Sequence, residues 1–364
     1  MTGPPPFWHL ITRPAATPRD PPPDRVASWR AAAGRLADLV SPALAAHLLA
    51  EAEARTGAVL IDPETAHRSR LANRLTRHGQ IAVARRIAEA GIEAVYIKGF
   101  ASAHTLYPDP DLRCFGDLDV LVRAPDAPRL LTLLADDGFV FTGEALPAWG
   151  FQSDASYPPI TGPDGQVNLD IHVRPDAFPA WRALTVARLF AAAETVRVDG
   201  LTLGVPSPDH AFLLCVTNAA KDKFGPFAVR KIVDAIQILR RRPSVDWERV
   251  AALAAEGGLE KAARGFVALL RRLGLEIERL PCGAPPAGLD RPPAGLARGA
   301  FEAMAGAHLA LEPDMPGPGT ALAREFLLAW APADALRLNL RRLAGLLGRP
   351  TLPPGLPRAA VERR

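Results

Sequence analysis

The chain has 364 residues, a hydrophobic content of 48% and a formal net charge of +4, with charges of both signs scattered along it. This length allows one large or two medium domains, each with a substantial hydrophobic core. The scattered charge argues against a nucleic-acid partner, because nucleic-acid binding generally needs a concentrated basic patch.

Export and membrane insertion are also disfavoured. No apolar run approaches the roughly 18 residues that a membrane-spanning helix needs, and the N-terminus lacks the pattern of a secretory signal. The three cysteines, Cys114, Cys215 and Cys282, are odd in number and far apart. They fit neither a metal motif nor a disulfide framework, so we predict a cytoplasmic protein with no membrane partner.

The N-terminal part of the sequence predicts an arm followed by helices. Residues 1–24 are Pro-rich and predict an extended arm. Residues 25–91 predict a helical region, in which the Ala/Leu-rich stretch from Val26 to about Thr56 reads as helical. The next helix begins at the N-cap sequence Asp62-Pro63-Glu64 and ends near Gly91, a typical helix-terminating residue.

The pattern changes to a small α/β centre over residues 92–205. Short apolar and alternating runs predict strands, and amphipathic stretches between them predict helices. The predicted strands are EAVYIKG, LDVLV, FVFTGE, QVNLDIHVR and a hairpin around Asp199-Gly200, with helices over FASAHTL and APDAPRLLTLLADDG. The loop over residues 145–157 receives no assignment.

The rest of the sequence is again helical. Residues 206–280 predict a helical domain that begins at the N-cap signal Ser207-Pro208-Asp209. Residues 281–364 predict a Pro/Gly-rich break and then two or three helices that run to about Gly348. Helices, a small α/β centre and further helices together predict an α+β fold, in which a small mixed sheet lies between N-terminal helices and a C-terminal helical region.

Three aspartates on predicted strands are the strongest chemical signal. In GDLDVLV the two-residue period of a strand puts Asp117 and Asp119 on one face. In VNLDIHVR, Asp170 lies in mid-strand on the polar face. If the two strands are neighbours, the three carboxylates converge, and a divalent cation such as Mg²⁺ would remove their mutual repulsion.

A second signal strengthens this interpretation. A lone pair of aspartates at a strand edge is more often solvated than metal-bound, and an alternating strand is ordinary in a half-exposed sheet. Here, however, Lys98-Gly99 lies at a strand-to-helix junction, where glycine permits close approach and helix N–H groups attract anions. A phosphate-binding turn beside a carboxylate triad favours metal-assisted nucleotidyl transfer.

Lysine usage singles out further residues. Of the 43 basic side chains only five are lysines: Lys98, Lys221, Lys223, Lys231 and Lys261. An ammonium is a compact point charge, unlike the fork of arginine, so these positions are candidates for a specific role. Lys231 and Asp234 share one face of a predicted helix, where the alternative is an ordinary surface pair.

The segments YIKGFASAHTLYPDPDLRCFGDLDVLV, LDIHVRP and VPSPDHAFLLCVTNAAKD…VRKIVDAIQIL resemble the uncharacterised nucleotidyltransferase family, a branch of the polymerase-beta-like nucleotidyltransferase superfamily. The likeness covers roughly residues 60–240. It implies a nucleotidyltransferase core within the sheet and an enzyme that uses Mg²⁺ or Mn²⁺ with a nucleoside triphosphate (NTP) as co-substrate.

The resemblance also implies roles for individual residues. Asp117 and Asp119 would hold the metal, and Asp170 would be a third ligand or the base that activates a hydroxyl. Phe100 departs from the family, because a Gly-Ser phosphate turn normally occupies the place of Gly99-Phe100. The candidate nucleotide contacts are Lys98, Gly99, Arg113, His172, Lys221, Lys231 and Asp234; Arg113 could alternatively pair with a carboxylate, and His172 could be a packed, hydrogen-bonded residue.

The expected activity is transfer of a nucleoside monophosphate from an NTP to a hydroxyl acceptor, which could be a small molecule, a peptide or a protein. One alternative is a catalytically inactive binding or accessory protein, which the altered Gly-Ser position favours. A tRNA-type nucleotidyltransferase is a third alternative, and the lack of a basic stripe argues against it.

Overall fold

A computed structural model describes residues 7–141 and 155–347 of the chain. The helices are α1 (His9–Thr12), α2 (Pro23–Val40), α3 (Pro42–Thr56), α4 (Pro63–Glu89), α5 (Lys98–Leu106), α6 (Ala127–Asp136), α7 (Val186–Ala191), α8 (Pro208–Lys221), α9 (Ala228–Arg241), α10 (Trp247–Gly257), α11 (Glu260–Arg272), α12 (Ala287–Asp290), α13 (Leu296–Leu309), α14 (Pro318–Arg324) and α15 (Pro332–Leu347). The strands are β1 (Ala94–Tyr96), β2 (Leu118–Val122), β3 (Val140–Phe141), β4 (Ile160–Thr161), β5 (Asn168–His172), β6 (Glu194–Val198) and β7 (Leu201–Val205). The end of the predicted strand FVFTGE, most of the unassigned loop and the positions after 347 lie outside the described residues.

The strands form one mixed sheet in the order β3-β4-β5-β2-β1-β7-β6. Strand β2 pairs antiparallel with β1 and parallel with β5, and β1 pairs parallel with β7. Helices precede and follow this sheet in the chain, so the predicted α+β class with a mixed sheet is confirmed. None of the helices in the described ranges is long and apolar enough to cross a membrane.

Strand β2 lies at the centre of the sheet and is buried at all five positions. Leu118, Val120 and Val122 pack into an apolar cluster with residues of α4, α5 and α6. Leu121 packs into a second cluster, which is formed mainly by α8, α9 and α11. Because side chains alternate along a strand, Asp119 is on the same face as Leu121, toward the helical cluster. The predicted polar face of β2 is therefore covered by helices.

The predicted extended arm is wrong for residues 7–24. Trp8 and Leu10 are buried, and the indole Nε1 of Trp8 donates a hydrogen bond to the carbonyl oxygen of His308 at 2.7 Å. The guanidinium of Arg240 donates to the carbonyl oxygens of Ile11 and Thr12 at 2.9 and 2.8 Å. The surrounding prolines favour an extended backbone, but burial of the apolar run FWHLI prevails. Burying one large apolar side chain contributes about 1.5–3 kcal/mol to stability.

The stretch predicted as helical from Val26 to Thr56 forms two helices that meet at Ser41. Ser41 has a left-handed φ of 137°, and its hydroxyl oxygen accepts a hydrogen bond from the backbone N–H of Leu44 at 3.3 Å. Pro42 follows at the first position of α3, where its missing N–H has no helical partner to lose. A proline inside a continuous helix would break the hydrogen-bond ladder, so the chain starts a new helix there.

The C-terminal region packs against the loop that joins α8 to α9. The Nε2–H of buried His308, on α13, donates to the carbonyl oxygen of Phe224 at 2.8 Å. The Nζ of Lys223 lies 3.2 Å from a carboxylate oxygen of Glu325, whose side chain is buried. These contacts connect the last third of the chain to the helices that cover the sheet.

Two buried histidines predict a loss of stability in mild acid. Burial, together with nearby arginines, lowers the pKa of His210 and His308 to about 4 from the ordinary 6.5. Below pH 6.5 the unfolded chain takes up protons that the folded chain excludes, so the free energy of unfolding should fall between pH 6.5 and 4. Each histidine contributes up to about 1.4 kcal/mol per pH unit. Urea denaturation of wild type and His308→Gln across this range should give a shallower slope for the variant; equal slopes would contradict the assignment.

Candidate active site

The pairing of β2 with β5 brings two of the predicted aspartates together. Asp119 and Asp170 are direct partners in the parallel register, and His172 lies two residues further along β5. Residues two apart on a strand share a face, so His172 and Asp170 both lie beside Asp119. One possible ligand atom from each of these three residues lies within 4.8 Å of the others. Asp117 is outside this group of three, although Asp117 and Asp119 both line one polar cleft, which is described below.

Lys98 supplies the positive charge at this cluster. It begins α5 with a φ of 55°, which residues with a side chain seldom adopt and which is typical of functional sites. Its Nζ forms an ion pair with Asp119 and lies 3.3 Å from the Nε2 of His172. Burial alone would lower the pKa of Lys98, but the charge of Asp119 raises it above its ordinary value. Lys98 is therefore a cation on the carboxylate cluster.

The remaining groups differ in their charge states. Burial would raise the pKa of Asp119, but Lys98 and His172 lower it well below the ordinary value, so Asp119 is ionised. Burial and the charge of Asp119 raise the pKa of both Asp117 and Asp170. Burial and Lys98 lower the pKa of His172, whose Nε2 is 3.0 Å from Oδ1 of Asp119. His172 is thus a neutral imidazole next to ionised carboxylate.

This donor set fits a divalent cation. Asp119 and Asp170 offer carboxylate oxygens and His172 offers a neutral ring nitrogen, and these are groups that bind metals in their unprotonated forms. Mg²⁺ binds oxygen ligands almost exclusively. Mn²⁺ belongs to the first-row transition metals, whose later members readily bind imidazole. Asp119, Asp170 and His172 are the residues that would hold the cation.

A further buried aspartate, Asp176, orients one of the predicted lysines. Its carboxylate accepts a hydrogen bond from the hydroxyl of Thr217 and pairs with the Nζ of Lys221 at 2.6 Å. Burial and the charge of Asp119 raise the pKa of Asp170, and the positive charge of Lys221 offsets part of that rise. Asp176 was missed in the sequence, where its only signal is a position six residues after Asp170 on the same segment.

Arg113 and Asp234 bind each other. The guanidinium of Arg113 donates to the two carboxylate oxygens of Asp234 at 2.9 and 2.8 Å, and the hydroxyl of Tyr107 donates to the same carboxylate at 2.7 Å. Arg113 and Asp234 are each only 1% exposed. Of the two alternatives for Arg113, the carboxylate pair is the one observed. The contacts of Asp234 are those of a structural anchor between α9 and the segment before β2.

Lys231 differs from the other four lysines in the partners of its ammonium. Among the described residues it forms no ion pair or hydrogen bond, and it lines the cleft with Lys98 and Arg230. Burial and the charge of Arg113 lower its pKa. Lys223, by contrast, pairs with Glu325 away from the cluster. Lys231 is therefore available for an anion.

Gly99 and Phe100 serve packing at the place of the family's Gly-Ser turn. A Cβ on Gly99 would lie 2.6 Å from the Cβ of Phe115, so only glycine lets α5 approach this ring. Phe100 is fully buried in the apolar cluster that also contains Leu118 and Val120 of β2. The side chain after Gly99 therefore offers no hydroxyl to a phosphate. Ser102, three residues later, lines a small cavity of about 30 Å³, which shares Lys98, Asn218 and Lys231 with the polar cleft that contains Asp119.

Asp119, one member of the cluster, lines a polar cleft of about 200 Å³ that is bounded by α5, the segment before β2 and helices α8 and α9. Exposed residues Gly116 and Phe227 lie where the cleft meets solvent. Its lining residues are Lys98, Gly99, Arg113, Phe115, Gly116, Asp117, Asp119, Asn218, Asp222, Phe227, Arg230 and Lys231. The sequence prediction missed Asn218, Asp222, Phe227 and Arg230, which flank the predicted lysines on α8 and α9.

A mixed sheet that carries paired aspartates beside a cleft lined by lysines, arginines and further aspartates is the arrangement expected of a nucleotidyltransferase. The model of the family described as uncharacterised nucleotidyltransferase matches residues 30–274, which is more than half of the chain. The protein therefore belongs to the uncharacterised nucleotidyltransferase family, as the sequence resemblance predicted.

Other comparisons add little. No curated protein matches the sequence. A solved structure with some similarity is that of an antigenic nucleotidyltransferase-like protein from Paracoccidioides brasiliensis, with 16% identity and a TM-score of 0.33. The match covers 50% of this chain and 85% of the other. Similarity at that level carries no information about function.

Proposed function

We propose that the protein transfers a nucleoside monophosphate from an NTP to a hydroxyl group of an acceptor. The observation that carries the proposal is the cluster of Asp119, Asp170 and His172, whose ligand atoms lie within 4.8 Å of one another. The cleft beside it is lined by Lys98, Lys231 and other cationic side chains. Carboxylates that hold a cation next to free positive charge suit a polyphosphate substrate.

Each predicted group has a task in this proposal. A divalent cation, Mg²⁺ or Mn²⁺, would neutralise phosphate charge and stabilise the pyrophosphate leaving group when held by Asp119, Asp170 and His172. Asp117 lines the cleft, and burial and the charge of Asp119 raise its pKa. Asp117 would add a further carboxylate to the groups around the cation. Lys231 and Lys98 would bind phosphate oxygens, and Lys221 would favour the ionised form of Asp170.

The proposed reaction is a single displacement. The acceptor oxygen forms a bond to the α-phosphorus, while the bond from that phosphorus to the oxygen bridging toward the β-phosphorus breaks. Pyrophosphate leaves with the bonding electrons, and the hydroxyl proton passes to the carboxylate of Asp170.

The remaining sequence predictions complete the proposal. Residues 92–205 would form the catalytic core and residues 206–280 would supply its helical cover. The protein would act in the cytoplasm, where NTPs and hydroxyl acceptors are both present. The acceptor would be a small molecule, a peptide or a protein.

The test is transfer of label from NTPs that carry it at the α-phosphate or at the γ-phosphate. The wild-type chain is incubated with Mg²⁺ or Mn²⁺, each NTP and panels of hydroxyl acceptors, including the protein itself. Nucleotidyl transfer moves the α-label and releases pyrophosphate. Movement of the γ-label instead would identify a phosphoryl transferase and contradict the proposal.

A catalytically inactive binding or accessory protein with this fold is the second candidate. Two observations favour it: Phe100 fills the place of the turn hydroxyl, and the ammonium of Lys98 already lies on Asp119. Such a protein would show neither a Mg²⁺-dependent thermal shift with NTP nor transfer of label. Stabilisation together with α-label transfer excludes it.

Lys98→Met should separate cation binding from nucleotide use. In the wild type, a cation at Asp119 competes with the ammonium of Lys98 for the same carboxylate, so removing the ammonium should tighten Mn²⁺ binding in the absence of NTP. The variant also lacks a charge for the phosphates, so its rate of label transfer should fall by about 10- to 100-fold, the size of effect that supporting residues of metal sites produce. Mn²⁺ titration calorimetry and label transfer measure the two effects. Weaker Mn²⁺ binding by the variant would contradict competition.

A further inference from the structure

The loop of residues 222–227, between α8 and α9, ends in an unusual side chain. Phe227 is 56% exposed and is the only aromatic among the large hydrophobic side chains exposed in the described part of the chain. A single exposed hydrophobic residue is common on protein surfaces and needs no function by itself. This one, however, lines the polar cleft that contains Asp117 and Asp119.

The backbone of the loop is held in a strained conformation. Lys223 and Phe224 are consecutive non-glycine residues with left-handed φ values of 53° each. Phe224 is fully buried, whereas Phe227, three residues later, is exposed at the cleft. Strain of this kind persists only where the surrounding structure fixes it, and it is typical of ligand sites.

Contacts from the C-terminal region fix the loop. His308 donates to the carbonyl oxygen of Phe224 at 2.8 Å, and Arg324 donates to the carbonyl oxygen of Lys223 at 3.0 Å. The Nζ of Lys223 pairs with the buried carboxylate of Glu325 at 3.2 Å. All three partners lie beyond residue 274, where the family match ends. The position of Phe227 therefore depends on a part of the chain that the family model does not cover.

Phe227 and Lys231 are neighbours on α9. Phe227 is the N-cap of this helix and Lys231 is four residues later, a spacing that puts two side chains on the same face. Lys231 has no counterion among the described residues, and Arg230 lines the same cleft. The face thus offers a flat apolar ring next to free positive charge, which suits a ligand with a planar part and an anionic part.

We propose that Phe227 is the stacking surface for the nucleobase of the NTP, an inference that rests on the proposed function. The phosphates would lie toward Lys231 and the metal cluster, and the base would lie on the exposed ring. Stacking depends on the π-face that every base has, so it gives affinity with little selectivity. We therefore expect ATP, GTP, CTP and UTP to bind with similar affinities.

The assignment is tested by comparing the binding of NTPs, which carry a nucleobase, with the binding of tripolyphosphate, which does not. The four NTPs and inorganic tripolyphosphate, each with Mg²⁺, are titrated into the full-length wild type, F227A, F227L and F227Y. F227A and F227L should bind NTPs about 5- to 150-fold more weakly, the range for loss of one stacked base. Their affinity for tripolyphosphate should equal that of the wild type, and F227Y should bind NTPs like the wild type. F227L controls for apolar bulk without a ring, and thermal melting verifies that each variant is folded.

Three outcomes would overturn the assignment. If F227A binds NTPs as tightly as the wild type while Asp119→Asn loses NTP binding, the nucleotide site exists but Phe227 is not part of it. An equal loss of NTP and tripolyphosphate affinity in F227L would mean that Phe227 supports the cleft and does not contact the base. Failure of the wild type to bind any NTP or tripolyphosphate would reject the proposed function and the stacking role together.

Discussion

Asp119→Asn should abolish divalent-cation binding and reduce label transfer by at least about 100-fold, because substitutions in the outer shell of metal sites already cost about 10- to 100-fold. The substitution keeps the shape of the side chain and removes the charge that faces Lys98 and His172. It takes away one of the two carboxylates in the cluster, and the remaining groups then carry too little negative charge to hold a divalent cation. Mn²⁺ titration calorimetry and α-label transfer measure the loss.

Asp136→Asn is the matched control for this experiment. Asp136 is exposed at the end of α6, so the same change in charge there should leave cation binding and transfer at the wild-type level. Circular dichroism verifies that Asp119→Asn is folded, since the change leaves the ammonium of Lys98 without its counterion. If Asp119→Asn binds Mn²⁺ and transfers label as well as Asp136→Asn does, Asp119 is not part of the metal site.

Asp234→Ala should lower the free energy of unfolding by about 3–5 kcal/mol, the usual effect of removing one partner of a buried ion pair. The guanidinium of Arg113 would remain in the interior without a counterion, and the hydroxyl of Tyr107 would lose its acceptor. Urea denaturation of wild type and variant at pH 7 measures the change. A lower midpoint with an unchanged slope on denaturant would show that the loss is one of stability.

Two further variants make the result specific. The double replacement Arg113→Met with Asp234→Leu should recover most of the lost stability, because apolar groups of similar size need no counterion. Glu256→Ala breaks the exposed ion pair with Arg188 and should change stability by no more than about 1 kcal/mol. If Asp234→Ala is as stable as Glu256→Ala but no longer binds NTP, Asp234 is a ligand contact, as the family resemblance implied.

The centre of the candidate site could be predicted because it depends on local pattern. Alternation along two short strands put Asp119 and Asp170 on their polar faces, and sheet pairing needed only to make the strands neighbours. The strand-to-helix junction at Lys98 was also predictable from sequence. Its pairing with Asp119 was not, because a lysine side chain reaches in several directions and the choice depends on the finished fold.

Long-range contacts explain most of what the sequence did not reveal. The partner of Arg113 lies 121 residues away on α9, and the spacing of Asp234 from Lys231 suggested a local pair instead. The proposed stacking role of Phe227 depends on a loop held by residues 308–325, far beyond the recognised motifs. The N-terminal apolar run was obscured by neighbouring prolines, whose effect on the local backbone was outweighed by burial of Trp8.

The most direct test of the metal site is a crystal structure of the protein with Mn²⁺ and an NTP analogue whose α–β bridge cannot be cleaved. We predict an anomalous Mn²⁺ peak bound by Asp119 and Asp170, with the ammonium of Lys98 moved from Asp119 to a phosphate oxygen. The absence of a peak at these carboxylates under saturating Mn²⁺ and analogue, with Lys98 still paired to Asp119, would contradict a metal-dependent nucleotidyltransferase site.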